Sequence, residues 1–575
     1  MGPEVTRGSV ADLIAARLEA IGVRHLFGVS GANIEDLFAA VQRRRPRLQV
    51  FLAKHEHSAG TAADAYARLS GKLGVVMTTS GGAAINVASA LAESKASGVS
   101  VLALVGEPPT ELQGQGAFQD TSGQKGAVDA LAVLRGVSTF SARVESIEAL
   151  PRRLDQAVAA ALGPEPGPAV LLIAKDLQSA EVDLRGAAIR AGPAGAVRAP
   201  ERSAIARAAE TLRTRPVVIL AGDEVPRAHA TVELAALAED LNATVAVTPD
   251  ARDAFDNRHR RFLGVAGAMG HPPVARAIGE AGAVLLVGTR LPLLARAGLE
   301  PLLRERPLVS IGRAPPFVTS AEMIHVEASI LAGLQALRGA LALHDHDQRL
   351  APALHDHDRR AAPADPETEA AALAHVHGAL TSAGVLAAID RAIPEGGVVL
   401  IDAGNTGAGG VHHLRAPKNG RWLLALGMAG MGYTFGAAIG AAVATGRRCT
   451  VIAGDGAFFM HGLEIHTAAE HGLPITYVLL NNNAHGMCLV REDLLLHQIG
   501  GHNTFHPSHL GAGLAAMFPR LWARDCRSFE ALEQALTEAA AVEGPAVICA
   551  ELPEVEVPPF NVFQKLLAER TRRSP

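Results

Sequence analysis

Cysteine is sparse in this 575-residue sequence: Cys449, Cys488, Cys526 and Cys549 are its four cysteines, and no two stand in CxxC spacing. A disulfide framework and a Cys-ligated zinc site are thereby excluded as organising devices, and a reducing, cytoplasmic setting is the expectation. A basic surplus is also missing. Lys and Arg number 53 against 58 Asp and Glu, a net charge of −5, so there is no electrostatic case for nucleic acid or for an anionic membrane surface. Long uncharged apolar runs are absent too. The nearest approach, Leu423 to Ala444, is broken by glycines and reads as a loop leading into a buried helix. The opening stretch MGPEVTRGSVADLIAARLEAIGV lacks a basic start followed by an apolar core, and reads as an amphipathic helix rather than a signal peptide. No GxGxxG with an acidic partner downstream occurs, which counts against a plain dinucleotide dehydrogenase.

What is present is apolar material in regular alternation. Hydrophobic residues make up 49% of the chain and charged ones only 19%, enough for several buried cores, and the length suggests three or four domains. Residues 1–185 alternate helix Val10–Ile21, strands HLFGVSG and QVFLA, helix Glu56–Leu69, strand GVVMTTS, helix Ile85–Lys95, and strands SVLALVGE and AVLLIAKD. Residues 193–340 carry strands PVVILAG, TVAVTP, AVLLVGT and PLVSIG, behind a Gly/Ala/Pro-rich connection from Arg190 to Pro200. Residues 341–370 contain His344-Asp345-His346-Asp347 and again His355-Asp356-His357-Asp358; their Pro and Ala content reads as a linker rather than a metal site. A third alternating block fills 371–560, and 561–575 reads as a polar tail. The alternation predicts an α/β protein of three doubly wound parallel-sheet domains.

One stretch of the third block carries chemistry, Thr450 to Met487. The β-branched run TVIA stops at Gly454-Asp455-Gly456, a helical pattern follows over Met460–His471, and strand Ile475–Leu480 runs into Asn481-Asn482-Asn483. Asp455 and the asparagines thus stand at carboxyl ends of parallel strands, the edge where open sheets bind ligands. A carboxylate, an amide oxygen and a backbone carbonyl form an all-oxygen set of the kind Mg²⁺ takes, with phosphate and water completing the octahedron.

Strand, GDG, helix, strand and NN in that order resembles the diphosphate-binding motif of thiamine diphosphate (ThDP) enzymes. The resemblance implies that Asp455, Asn482 and the carbonyl of Ala484 hold Mg²⁺, which holds the diphosphate. Gly454, Gly456, Ala457, His485, Gly486 and Met487 would line the cofactor beside it. Three α/β blocks with this motif in the third are similar to the acetolactate synthase and pyruvate oxidase-like branch, whose first block binds the aminopyrimidine, whose middle block is central, and whose third binds the diphosphate.

Further motifs carry the same resemblance. Lys54-His55-Glu56-His57-Ser58-Ala59-Gly60 follows strand QVFLA and opens a helix, and Glu56 matches the family's catalytic glutamate. A carboxyl there would bond the pyrimidine nitrogen N1′ and favour the imino tautomer that takes the proton from C2 of ThDP. Thr79-Ser80-Gly81-Gly82-Ala83-Ala84-Ile85-Asn86 resembles the family's TSGPGATN turn, with Gly82 in place of proline, and puts Asn86 beside the cofactor. Gly114 to Asp120 resembles the active-site loop with a Phe-Gln pair, implying Phe118 at the substrate and Gln119 facing the reacting carbon as a catalytic residue. Ala429-Gly430-Met431-Gly432 resembles the segment that bends ThDP into its V shape, with Met431 as the wedge and backbone bonds at Ala429 and Met431. Asn405 and Thr406, after strand GVVLI, would meet the diphosphate, where the branch often has Gln-His.

The resemblance implies an enzyme, a ThDP-dependent lyase or transferase acting as a carboligase. It would decarboxylate a 2-keto acid, pyruvate in the simplest case, and join the acyl-anion equivalent to a second carbonyl compound. A simple decarboxylase, a specialised carboligase on a biosynthetic intermediate, and a non-catalytic binding protein are the alternatives. Family sites lie between subunits, which implies a homodimer or homotetramer with Glu56 and Gln119 from one chain and Met431, Asp455 and Asn482 from the other. Two departures stand out. Arg491 replaces a tryptophan usual in acetolactate synthases and reads either as a receptor for a substrate carboxylate or phosphate or as a surface arginine paired with Glu492 or Asp493. The second block keeps Arg290 but lacks the acidic strand ends expected for FAD, which argues against that cofactor.

Overall fold

The computed structural model describes residues 7–184, 199–343, 380–498, 500–553 and 556–573. The linker expected at 341–370 falls outside them from residue 344 onward, as does most of the Arg190–Pro200 connection.

Three six-stranded, wholly parallel sheets organise the chain. The first contains β1 (His25–Val29), β2 (Gln49–Leu52), β3 (Gly74–Thr78), β4 (Val101–Glu107), β5 (Phe140–Arg143) and β6 (Pro168–Ala174), in the order β2-β1-β3-β4-β6-β5. The second contains β7 (Val217–Ala221), β8 (Thr244–Val247), β9 (Phe262–Val265), β10 (Ala283–Val287), β11 (Leu308–Gly312) and β12 (Met323–Glu327), in the order β9-β8-β7-β10-β11-β12. The third contains β13 (Val398–Ile401), β14 (Arg421–Leu424), β15 (Cys449–Gly454), β16 (Ile475–Asn481), β17 (Trp522–Cys526) and β18 (Ala546–Glu551), in the order β14-β13-β15-β16-β18-β17. Central strands such as Val217–Ala221 and Ala283–Val287 are buried along their whole length, because helices cover both faces of a parallel sheet and favour continuous apolar runs.

The first and third sheets share one strand order, and their equivalent helices meet. Helix α1 (Glu56–Ser70) follows β2, helix α2 (Tyr433–Thr445) follows β14, and the two pack against each other. Small residues make the approach close. A Cβ at Gly436 would run into the Ser58 carbonyl, and one at Gly440 into the Ala62 carbonyl. Beneath this contact lies a buried polar network. Arg68 lies 2.6 Å from Asp64 and 3.0 Å from Glu93, and Asp64 also accepts from Tyr433 Oη (2.5 Å) and Ser94 Oγ (2.7 Å). Glu93 takes the backbone N–H groups of Gly427 (3.2 Å) and Met428 (2.5 Å), so the first domain fixes the loop that leads to Met431.

Three local expectations need correction. The helix expected over Met460–His471 instead begins as α3 (Asp455–His461), passes through a 3₁₀ turn at Gly462–Glu464, and resumes over Ile465–Glu470. Gly462 marks the break: it lies under the Phe458 ring, and glycine is a poor helix interior residue. The helix expected over Ile85–Lys95 is divided into Gly82–Asn86 and Ala88–Ala96. Most of the stretch 561–575, expected as a tail, is helix α4 (Asn561–Arg573). Its Phe563 is buried with Val490 and Leu494, and Arg570 pairs with Asp493 at 2.8 Å.

Candidate active site

The carboxyl ends of β13, β15 and β16 open on one cavity of about 300 Å³. Asp402, buried just past β13, ties its walls together. Its carboxylate accepts from the backbone N–H groups of Ala403 (2.9 Å), Gly432 (2.9 Å) and Thr434 (3.1 Å) and from Thr434 Oγ1 (2.7 Å). Burial pushes its pKa up against those donors. The effect is to hold the Met431–Gly432 turn against the start of the Asn405 helix.

Asp455 is the first residue of α3, with Gly454 as its N-cap in an extended conformation. The carboxyl is buried, and burial raises its pKa to about 6 while backbone N–H groups pull the other way. One of those, from Ala484, donates to Oδ2 at 3.0 Å. Past β16 the chain reverses through Asn483, which adopts a left-handed φ of 50°. Its side-chain oxygen accepts from Ser508 N at 2.9 Å, and Asn481 Nδ2 donates to Ser508 O (3.1 Å) and to Glu551 (3.2 Å). That reversal turns Asn482 and Ala484 toward the same cavity as Asp455.

Most of the expected cofactor residues therefore meet. Asn405, Thr406, Met431, Gly454, Asp455, Gly456, Ala457, Asn482, Ala484, His485, Gly486 and Met487 all line the cavity. Ser382, Leu552, Pro553 and Glu556 line it as well, and sequence reasoning missed them. Glu556 accepts from Ser382 N (2.9 and 3.1 Å), and its backbone carbonyl accepts from Asn405 Nδ2 at 3.2 Å. Nothing in the sequence marks a contact between positions so far apart.

The donor set fits a diphosphate and a hard cation. Carboxylate, amide and carbonyl oxygens of Asp455, Asn482 and Ala484 are the ligand types Mg²⁺ takes. Asn405 Oδ1 is buried without a hydrogen-bond partner among the described residues. Gly404 has a φ of 85°, and a Cβ there would meet only open space, leaving room for a group pressed against the backbone.

The other expected residues lie elsewhere on the single chain: Glu56, Asn86, Phe118, Gln119, Ala429 and Arg491 do not line this cavity. Glu56 opens α1, and Asn86 Nδ2 donates to its Oε2 at 3.0 Å. It is half-buried rather than enclosed. His55 caps the helix by accepting from His57 N at 3.0 Å. His57 is buried with its ring stacked 4.3 Å from that of His461, and burial first, then His461, push its pKa down to about 3. Gln119 has a left-handed φ of 57° and packs over Gly81, itself at 73°, while Phe118 is 80% exposed beside it. Ala429 is exposed with a φ of 53°. Such strained positions gather at functional sites.

Arg491 closes the helix Gly486–Arg491, one turn past the cavity-lining Met487, and is exposed. The acids after it are engaged elsewhere: Glu492 accepts from Asn503 Nδ2 at 2.6 Å, and Asp493 pairs with Arg570. Arg290 lies over the Phe317 ring at 4.1 Å.

Three family models match these domains. They are the thiamine pyrophosphate enzyme N-terminal TPP binding domain over residues 8–127, the central domain over 205–337, and the C-terminal TPP binding domain over 402–550. The chain belongs to the thiamine pyrophosphate enzyme family, thiamine pyrophosphate being the same molecule as ThDP. Within it, the chain stands with the acetolactate synthase branch. It is 28% identical over 514 residues to acetolactate synthase of Arthrospira platensis, covering 84% of this chain and 83% of the relative. It is 26% identical over 514 residues to the large subunit of acetolactate synthase isozyme 1 of Escherichia coli (strain K12), covering 85% and 84%. Against the isozyme 2 large subunit of the same organism it is 26% identical over 552 residues, covering 95% and 96%.

Proposed function

We propose that this chain is a ThDP- and Mg²⁺-dependent carboligase. A 2-keto acid, pyruvate first among candidates, loses CO₂. The acyl unit then forms a carbon–carbon bond to a second carbonyl compound, whose oxygen takes a proton to give a 2-hydroxy ketone. The observation that carries this reading is the single cavity uniting Asp455, Asn482 and Ala484 with Met431 and Asn405, on a chain of the acetolactate synthase branch.

ThDP, when bound, supplies a carbon nucleophile and an electron sink. The chain's residues divide the rest. Asp455, Asn482 and the Ala484 carbonyl would hold Mg²⁺ and through it the diphosphate. Met431 would wedge between the two rings. Glu56, oriented by Asn86, would hold a proton at the pyrimidine nitrogen. Gln119 would face the reacting carbon, and Arg491 would take a carboxylate or phosphate on a substrate. Residues 1–185, 193–340 and 371–560 would be the pyrimidine-binding, central and diphosphate-binding domains. Glu56 does not line the cavity of its own chain, which supports a site shared between two copies, in a homodimer or a homotetramer. The free cysteines support a cytoplasmic setting.

The test is direct. Purified chain with ThDP and Mg²⁺ is given a panel of 2-keto acids with and without aldehyde and ketone acceptors, and products are read by mass spectrometry. Release of CO₂ with a coupled product supports the reading. CO₂ with aldehyde alone points to a simple decarboxylase, and no CO₂ from any 2-keto acid overturns it.

A further inference from the structure

Between the end of β2 and the start of α1 lie only Ala53, Lys54 and His55, so whatever holds this strap sets where Glu56 stands. It is held from the third domain. The Lys54 backbone N–H points at both carboxylate oxygens of Glu464, at 3.1 and 3.2 Å. Thr467 Oγ1 lies 2.6 Å from Glu464 Oε1 and 3.2 Å from the Leu52 carbonyl oxygen. Lys54 Nζ pairs with Glu470 at 2.6 Å. Glu464, Thr467 and Glu470 recur at intervals of three along the turn-and-helix that continues α3, which begins with Asp455. Glu464 is only 2% exposed. A buried carboxylate receiving a backbone N–H is a strong, short-range anchor.

We propose that Glu464, supported by Thr467 and Glu470, is a positioning clamp that fixes the Leu52–Lys54 strap and thereby aims the Glu56 carboxylate. The role rests on the proposed function of Glu56. It also joins, within one chain, the element carrying Asp455 to the element carrying Glu56.

Two readouts test the clamp in the full-length chain. In Glu464→Ala apoprotein, hydrogen–deuterium exchange at the Lys54 amide should rise about tenfold or more, while amides of Ile475–Leu480 keep their protection. In the ThDP- and Mg²⁺-loaded enzyme, kcat should fall about tenfold with KM for the 2-keto acid little changed, as expected for a lost transition-state contribution. Glu464→Gln, which keeps one acceptor for Lys54 N–H, should recover part of both, and it decides the matter if the alanine variant fails to fold. Unchanged Lys54 exchange overturns the clamp, and so does raised exchange with unchanged kcat. If the wild-type chain turns over no 2-keto acid, the proposed function fails; Lys54 exchange in the alanine and glutamine variants then decides the clamp alone.

Discussion

Glu56 and Asp455 are both carboxylates at helix starts, yet their surroundings differ. Asp455 is buried among backbone donors in the cavity. Glu56 stands half-exposed with Asn86 as its partner. Asp455→Ala should therefore abolish tight ThDP binding, measured by isothermal titration calorimetry with Mg²⁺ present. Glu56→Gln should leave that affinity within a few-fold and cut kcat by about 10²–10⁴. Equal loss of affinity in both variants would contradict the division. His57 supports a pH prediction. Its folded pKa of about 3 lies below its ordinary 6.5, so between those values the unfolded chain binds more protons than the folded one. Stability must fall as pH drops through that window. His461 and His413, both held at about 4 by burial first, act with the same sign. The melting temperature should decline from pH 7 to pH 5, and His57→Asn should flatten the decline; an unchanged slope would show that His57 contributes nothing. At this scale the sequence was legible where a residue type is bound to a local motif, as with Asp455 in GDG or Glu56 at a helix start. It was silent on Glu464 and Lys54, or Ser382 and Glu556, whose pairing exists only after distant segments fold together.

Among elements, the junction of α1 and α2 carries the largest structural risk. Gly440 faces the Ala62 carbonyl with no space for a methyl group. Gly440→Ala must push the helices apart, and the expected loss is on the order of 3 kcal/mol, seen as a lowered urea midpoint. Arg68→Ala strands the buried Asp64 and Glu93 carboxylates and should cost about 3–5 kcal/mol. A surface arginine such as Arg304, which is exposed beside Glu300, should change little when removed. The pattern of what could be read follows the same physics. Buried central strands announce themselves as apolar runs, so β7, β10 and β16 stand out in the sequence. Edge strands are uneven: β2, QVFL, was legible, but β5 is FSAR and β17 is WARDC, polar enough to pass for loops. Helix α3 hid for another reason. Glycine at Gly454 and Gly456 suggests a turn, while Asp455 satisfies the preference for an acid in a helix's first turn.

For the whole molecule, the residues that the proposed reaction needs do not share one cavity on a single chain. Glu56 and Gln119 do not line the Asp455 cavity, while α1, α2 and the Lys54–Glu464 contact lock both groups into one body. In a two-fold dimer each cofactor would then take Glu56 from one protomer and Asp455 from its partner. Complementation tests this without a crystal. A Glu56→Gln dimer and an Asp455→Ala dimer are each inactive, since every site carries one defect. Unfolding and refolding an equal mixture yields hybrids in which one site carries both defects and the other carries none. With random pairing, about half the dimers are hybrids with one working site of two, so about a quarter of wild-type activity should return. If each chain instead built its own site, every site in the mixture would keep its defect and nothing would return. Activity well above the level of either variant alone, rising with the fraction of hybrid resolved by differently tagged chains, establishes the shared site; a flat response dismisses it.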